Sequence, residues 1–238
     1  MAQPTLILFD VDGTLVDTAG AGRLAIERAF EEVFGIEAIT EKTSRVRFAG
    51  MTDSSIFESL AVAAEIEPSR FDAQQESLHR SYLLFLDAEM KRHEPRRRIM
   101  PGVKPLLEAL RSRRDACTGL LTGNLEVGAR IKLEPFGLNP FFRGGGFGSD
   151  HADRRQVALA AWNNLRELTG IDFPASRVVV VGDTERDVDC GHANGFRAVA
   201  VESGWVPRST LEAARPDALF QDLTDLPAVL LSFGLTPD

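Results

Sequence analysis

Thr5-Leu-Ile-Leu-Phe-Asp10-Val-Asp-Gly-Thr-Leu15 decides the reading of this chain. Five residues that favour strands run without a charge, then stop at two acids and a glycine. A short apolar run ended this way predicts a strand buried on both faces that empties into a loop. Asp10 and Asp12 then stand at the carboxyl end of that strand.

Outward from there the pattern changes twice. Ile26, Ala29, Phe30 and Val33 fall at i, i+3, i+4 and i+7, with Gly35 as a stop, which is helical spacing. Asp53 or Ser54 can cap a further helix carrying Ile56 and Leu60, and a longer one carries Leu78, Tyr82, Phe85 and Leu86. No strand is expected between residues 20 and 93. Glu94 to Pro101 reads as a polar return linker, with Arg96 to Arg98 solvated. After it, helices and strands alternate: a helix from Pro101, strand Cys117 to Thr122, helix 125–134, a strand at Gly145 to Gly148, helix 155–168, strand Arg177 to Gly182 and strand Arg197 to Val201. Alternation at this spacing implies right-handed βαβ units and a parallel sheet with helices on both faces. The expectation is an α/β protein with a core domain of residues 1–18 and 95–238 and an inserted helical domain of residues 19–94. A structureless loop of that length inside a compact chain would be unusual.

Composition sets limits on function. The 238 residues are 44% hydrophobic and 26% charged, as in globular proteins, and 27 basic against 35 acidic side chains give a net charge of −8. That sign disfavours nucleic acid and anionic membranes as partners. Cys117 and Cys190 form no CxxC pair, and neither a signal segment nor a membrane span is visible, so a cytoplasmic protein is expected. His79, His93, His151 and His192 lack metal-ligand spacing.

Open parallel sheets bind ligands at the carboxyl ends of their strands. The residues there are Asp10 and Asp12, then Thr122-Gly-Asn124, then Gly182-Asp-Thr-Glu-Arg-Asp187. Asp10, Asp12 and Asp183 on adjacent tips would repel one another without a cation, and hard oxygen ligands suit Mg²⁺. Asp187, one helical turn after Asp183, joins this metal group and can orient a metal-bound water or Asp183 itself. With its charge screened, Asp10 can attack phosphorus and form an aspartyl-phosphate, while Asp12 protonates the leaving oxygen and then activates water. The Thr122 hydroxyl and the backbone N–H groups after it, at Gly123 and Asn124, can hold phosphate oxygens.

Asp10-Val-Asp-Gly-Thr-Leu15, the strand ending at Thr122, and Gly182-Asp-Thr-Glu-Arg-Asp187 resemble motifs one, two and four of the haloacid dehalogenase superfamily. The insert after motif one resembles its helical C1 cap, and the nearest group is that of the phosphoglycolate phosphatases. The resemblance implies a Rossmann-like core, Mg²⁺ held by Asp10, the Asp12 carbonyl and Asp183, a phosphoaspartate at Asp10, and phosphate binding at Thr122. It also supports a role for Phe48-Ala-Gly-Met-Thr-Asp53, whose backbone and Thr52 can face the cleft. One departure stands out: the family's lysine between motifs two and four is missing from its usual place. Lys132 lies inside the helix after motif two and reads as badly placed, which leaves Arg154 or Arg155 as the substitute.

The expected function is therefore a Mg²⁺-dependent phosphoric monoester hydrolase acting on a small phosphorylated metabolite. The alternatives are a phosphotransferase or sugar-phosphate mutase using the same intermediate, and a catalytically silent phosphometabolite sensor, which the missing lysine would suit. Oligomeric state is not legible.

Overall fold

The computed structural model describes residues 3–36, 39–92 and 94–236. It opens with β1 (Thr5–Phe9), wholly buried, and the two-residue β2 (Val16–Asp17). Four helices follow: α1 (Ala21–Phe34), α2 (Ile39–Thr43), α3 (Asp53–Ala63) and α4 (Pro68–Lys91). β3 (Arg98–Ile99) brings the chain back, and α5 (Val103–Arg111), β4 (Ala116–Leu121), α6 (Glu126–Leu133), β5 (Gly145–Gly146) and α7 (Arg154–Thr169) come next. The remainder is β6 (Val178–Gly182), α8 (Glu185–Ala193), β7 (Arg197–Val201), α9 (Arg208–Ala214), β8 (Ala218–Phe220) and α10 (Leu226–Ser232).

Six parallel strands form one sheet in the order β5-β4-β1-β6-β7-β8. Leu6 lies opposite Cys117 of β4 on one side and Val178 of β6 on the other, so the first strand is the centre of the sheet. The chain steps outward from β1 through β4 to β5 and then crosses to β6. That reversal beside β1 opens a crevice at the carboxyl ends. Alternation within the apolar runs fills both faces. Ile7, Phe9, Val179 and Val181 pack with Leu106, Leu107 and Leu110 of α5 and Val229 of α10. Leu6, Leu8, Val178 and Val180 pack with Val157, Ala161 and Leu165 of α7.

The helices between β2 and β3 gather a second core around Phe30, Phe57, Leu60, Tyr82 and Leu86. That core is not sealed within the insert. Leu125, in the loop before α6, is buried in it, and Ile131 and Phe136 pack against it. β2 and β3 pair antiparallel, Val16 with Ile99 and Asp17 with Arg98, at the neck of the insert. Gly20 follows the neck at φ 85°, a left-handed conformation that glycine adopts without a side-chain clash.

Several boundaries differ from the sequence expectation. Thr52, not Asp53 or Ser54, caps α3, accepting from the Ser55 N–H at 3.2 Å. Residues 94–101 hold β3, and α2 and β2 appear where no element was foreseen, because two to five residues are too short to show a period. The strand expected at Gly145 to Gly148 is limited to Gly145–Gly146. No described helix is long and apolar enough to cross a membrane. Cys117 and Cys190 are free thiols, and His93 lies outside the described residues.

Candidate active site

The tips of β1, β4 and β6 bring Asp10, Thr122 and Asp183 to neighbouring positions. The Asp10 N–H donates to the Val181 carbonyl at 2.9 Å, tying the first tip to the strand beside it. Asp10, Asp183 and Asp187 are buried, and each offers a carboxylate oxygen within 4.8 Å of the others. Burial, opposed by Arg154 and reinforced by the charges of Asp187 and Asp12, pushes the Asp10 carboxyl up to about 6. Burial and the neighbouring carboxylates, Asp10 first, push Asp183 well above the usual range. Asp187 is already engaged. It takes bonds from the Thr184 N–H at 3.0 Å and the Thr184 hydroxyl at 2.7 Å, which caps α8, and its other oxygen contacts Arg154.

Arg154 and Arg155 separate cleanly. Arg154, the first residue of α7, is only 7% exposed, lies 3.0 Å from Asp10 and also pairs with Asp187. Two buried anions account for a cation at a helix N-terminus, where the dipole disfavours one. Although burial opposes it, the charges of Asp187 and Asp10 hold the guanidinium firmly protonated. Arg155 turns outward and forms a two-bond pair with Asp189, with both side chains more than half exposed. Its expected place in the phosphate site is therefore corrected: the side chain one residue on points off the other side of the helix start.

The reading of Lys132 is also corrected. Far from being badly placed, its ammonium donates to Asp12 Oδ2 at 2.7 Å and to Asn124 Oδ1 at 2.5 Å, and the residue is buried. Asn124 Nδ2 donates to the same Asp12 oxygen at 2.9 Å and to the Thr122 hydroxyl at 2.7 Å. A signal was available. Leu125, Gly128, Ala129 and Lys132 fall at i, i+3, i+4 and i+7, so a lone lysine sits on the buried face of α6. Its side chain leans toward the helix N-terminus, which is where Asn124 and Asp12 lie.

The segment from Phe48 to Asp53 does reach the core, but through a different residue than expected. Thr52 is turned away from the main cavity; its hydroxyl caps α3 and donates to the Ala152 carbonyl at 3.1 Å. Asp53 takes the central place. Its N–H donates to the Gly123 carbonyl at 2.7 Å, and its Oδ2 accepts from the Leu125 N–H at 2.9 Å. Burial, offset in part by Lys132, pushes Asp53 up to about 6. Gly123 is required by this contact, because a Cβ there would run into the Met51 carbonyl. His151 is exposed, His79 packs at a tilt against Phe57, and His192 pairs with Asp217, so none of the described histidines joins the site.

Residues 7–201 match the family model of the haloacid dehalogenase-like hydrolases. The chain belongs to that family. A phosphoglycolate phosphatase from Synechococcus elongatus is 31% identical over 92% of this chain and 94% of its own length. One from Pseudomonas putida is 26% identical over 94% of this chain and 78% of its own. Among solved structures, a hydrolase from Pseudomonas syringae superposes with a TM-score of 0.71 at 23% identity, covering 96% of this chain and 98% of that one. The structure of a predicted phosphoglycolate phosphatase from Haemophilus somnus gives 0.70 at 21%, covering 96% and 99%. These last two speak to the fold.

In this haloacid dehalogenase-like hydrolase the carboxylates fit a divalent cation. Three buried acids with two raised carboxyls are crowded with like charge that a cation would relieve, and all the donors are hard oxygens. The backbone also makes room around Asp183. A Cβ at Gly13, whose φ is 83°, or at Gly204 would collide with the Asp183 carboxylate, and the Thr14 hydroxyl donates to it at 3.4 Å. A cavity of about 830 Å³ opens over these residues. Its lining includes Asp10, Thr122, Gly123, Asn124 and Lys132 from the core and Arg23, Arg47, Asp53 and Tyr82 from the insert, with Trp205, 65% exposed, on the loop after β7.

Proposed function

We propose that this hydrolase, a phosphatase by family, is a Mg²⁺-dependent phosphomonoesterase that releases inorganic phosphate from a small phosphorylated metabolite. The observation that carries the reading is Asp10: a buried carboxylate at the central strand tip, 3.0 Å from Arg154 and beside Asp183. A carboxylate oxygen of Asp10 attacks phosphorus, the bond from phosphorus to the leaving oxygen breaks, and Asp12 supplies that oxygen with a proton. Water then gives its proton to Asp12 and attacks the same phosphorus, freeing phosphate and restoring the Asp10 carboxylate. Thr122, the Gly123 backbone and Arg154 hold the phosphoryl oxygens. Mg²⁺, held by Asp10, Asp183 and the Asp12 carbonyl, would neutralise charge on phosphate and nucleophile. Asp187 fits best as the group that fixes Arg154, since Thr184 and Arg154 occupy its oxygens.

Residues 1–18 and 95–238 serve as the catalytic core and 19–94 as a cap that closes over the cavity. The neck of β2 and β3 falls at this boundary, and the shared burial of Leu125 gives the cap a seat. The free cysteines suit a cytoplasmic setting. The silent-sensor reading loses its motive, because Arg154 and Lys132 both bring positive charge to the site. Phosphoglycolate, named in the relatives, is the first substrate to try.

The test is phosphate release from a panel of small phosphomonoesters with Mg²⁺ or EDTA. Turnover should need the metal and fall by roughly 10⁴-fold or more in Asp10→Asn. Wild-type rates in that variant would refute the reading, and transfer of phosphate to a sugar instead of water would replace hydrolase with transferase.

A further inference from the structure

Lys132 is a buried cation for which the phosphatase chemistry above has no use. Its cost needs an explanation, because an ammonium loses several kcal/mol of hydration on burial unless its partners replace the water. The partners here are specific. Two donors, Lys132 Nζ and Asn124 Nδ2, converge on Asp12 Oδ2 at 2.7 and 2.9 Å, while no described residue donates to Asp12 Oδ1. A carboxylate held by one oxygen from two directions has little torsional freedom left. The side chain is 30% exposed and Asp12 lines the cavity, so its second oxygen is the one left for a substrate.

The insert completes the arrangement from the other side. A Cβ on Gly22 of α1 would lie 3.2 Å from Lys132 Nζ, so α1 closes directly over the ammonium. Asp53 places a second buried carboxylate in its electrostatic reach. Lys132 thus stands between an acid of the core and an acid of the insert, and Asn124 keeps it in line.

We propose that Lys132 is a positioning residue: by gripping Asp12 Oδ2 from α6 it aims Asp12 Oδ1 at the oxygen of the leaving group. This rests on the reading of Asp12 as the acid and base of the reaction. Lys132 adds no proton of its own; the proton travels from Asp12 to the leaving oxygen, and Lys132 fixes where it starts.

Loss of an aimed acid hurts a substrate in proportion to how badly its leaving oxygen needs a proton. Phenyl phosphate and p-nitrophenyl phosphate are nearly the same shape, but phenolate is by far the poorer leaving group. With kcat/KM measured for both, Asp12→Asn and Lys132→Met should each lose at least about tenfold more on phenyl phosphate than on p-nitrophenyl phosphate. In the double variant the extra loss should not add, since both changes remove one function. If Lys132→Met does not fold, Lys132→Gln enters the same cycle and should show the same sign with a smaller gap, because its amide can still donate to Asp12. Equal losses on the two esters for the Lys132 variants, with Asp12→Asn selective, overturn the positioning role alone. No selectivity in Asp12→Asn overturns the acid reading, and this inference with it.

Discussion

Arg154 and Lys132 each bury a positive charge among aspartates in one cleft, but the fold holds them by different means. Arg154 sits inside the frame of the sheet, its anions fixed by the β1 tip and the α8 cap. Lys132 spans a seam, with Asp12 and Asn124 on the core and Asp53 and Gly22 on the insert. The first cluster belongs to the structure as built; the second depends on two parts of the molecule being seated together. A charge locked in a frame should govern stability and rate together, whereas one at a seam should govern rate in ways that depend on substrate and pH.

The strongest way to break this contrast is Arg154→Met. It leaves Asp10 and Asp187 without their cation, so the loss should be about 3–5 kcal/mol of stability and about 10²–10³-fold in kcat. Chemical denaturation and steady-state kinetics would read both. A variant as stable as the wild type would mean that the frame does not rely on this pair.

A smaller effect should mark the seam. Burial raises Asp53 to about 6 from 3.8, so between those values the folded chain holds a proton that the unfolded chain has released. Its contribution to stability therefore falls as pH rises through that window. Asp53→Asn keeps an acceptor for the Leu125 N–H and removes the titration. Melting curves from pH 4 to 7 should show the variant gaining on the wild type by a few degrees, at roughly 2–4 °C per kcal/mol for a chain of this size. Parallel curves would show that Asp53 is not desolvated at the seam.

The smallest effect belongs to Arg155→Ala. Its partner Asp189 is exposed, and exposed pairs contribute little. Tm should stay within about 2 °C and phosphate release should be unchanged. A loss of phosphate affinity would reinstate Arg155 in the site.

The same contrast separates what could be read in the sequence from what could not. Asp10, Thr122 and Asp183 follow directly on apolar strand runs, and parallel topology alone brings such residues together. Arg154 could be narrowed to two candidates but no further, because adjacent residues at a helix start point to different sides and only tertiary packing chooses between them. Lys132 reads as badly placed from its position inside a helix alone; the signal lies in the helix face it shares with the buried residues at 125, 128 and 129. Thr52 and Asp53 exchange their expected places, because which of two neighbouring polar residues caps a helix, and which lines the cavity, depends on what docks there. β2 and β3 were invisible since two residues carry no period, although they mark the neck of the insert.

The paired bonds around Asp53 carry one last consequence. The Leu125 amide hydrogen belongs to the core, yet its acceptor belongs to the insert, and the Asp53 amide is bonded the other way across the same gap. Neither hydrogen can trade with solvent while the two parts are in contact, so their exchange in deuterated water is a clock for lifting. If product leaves only when the insert lifts, that clock sets a ceiling on turnover that no improvement in the chemistry beneath it can raise.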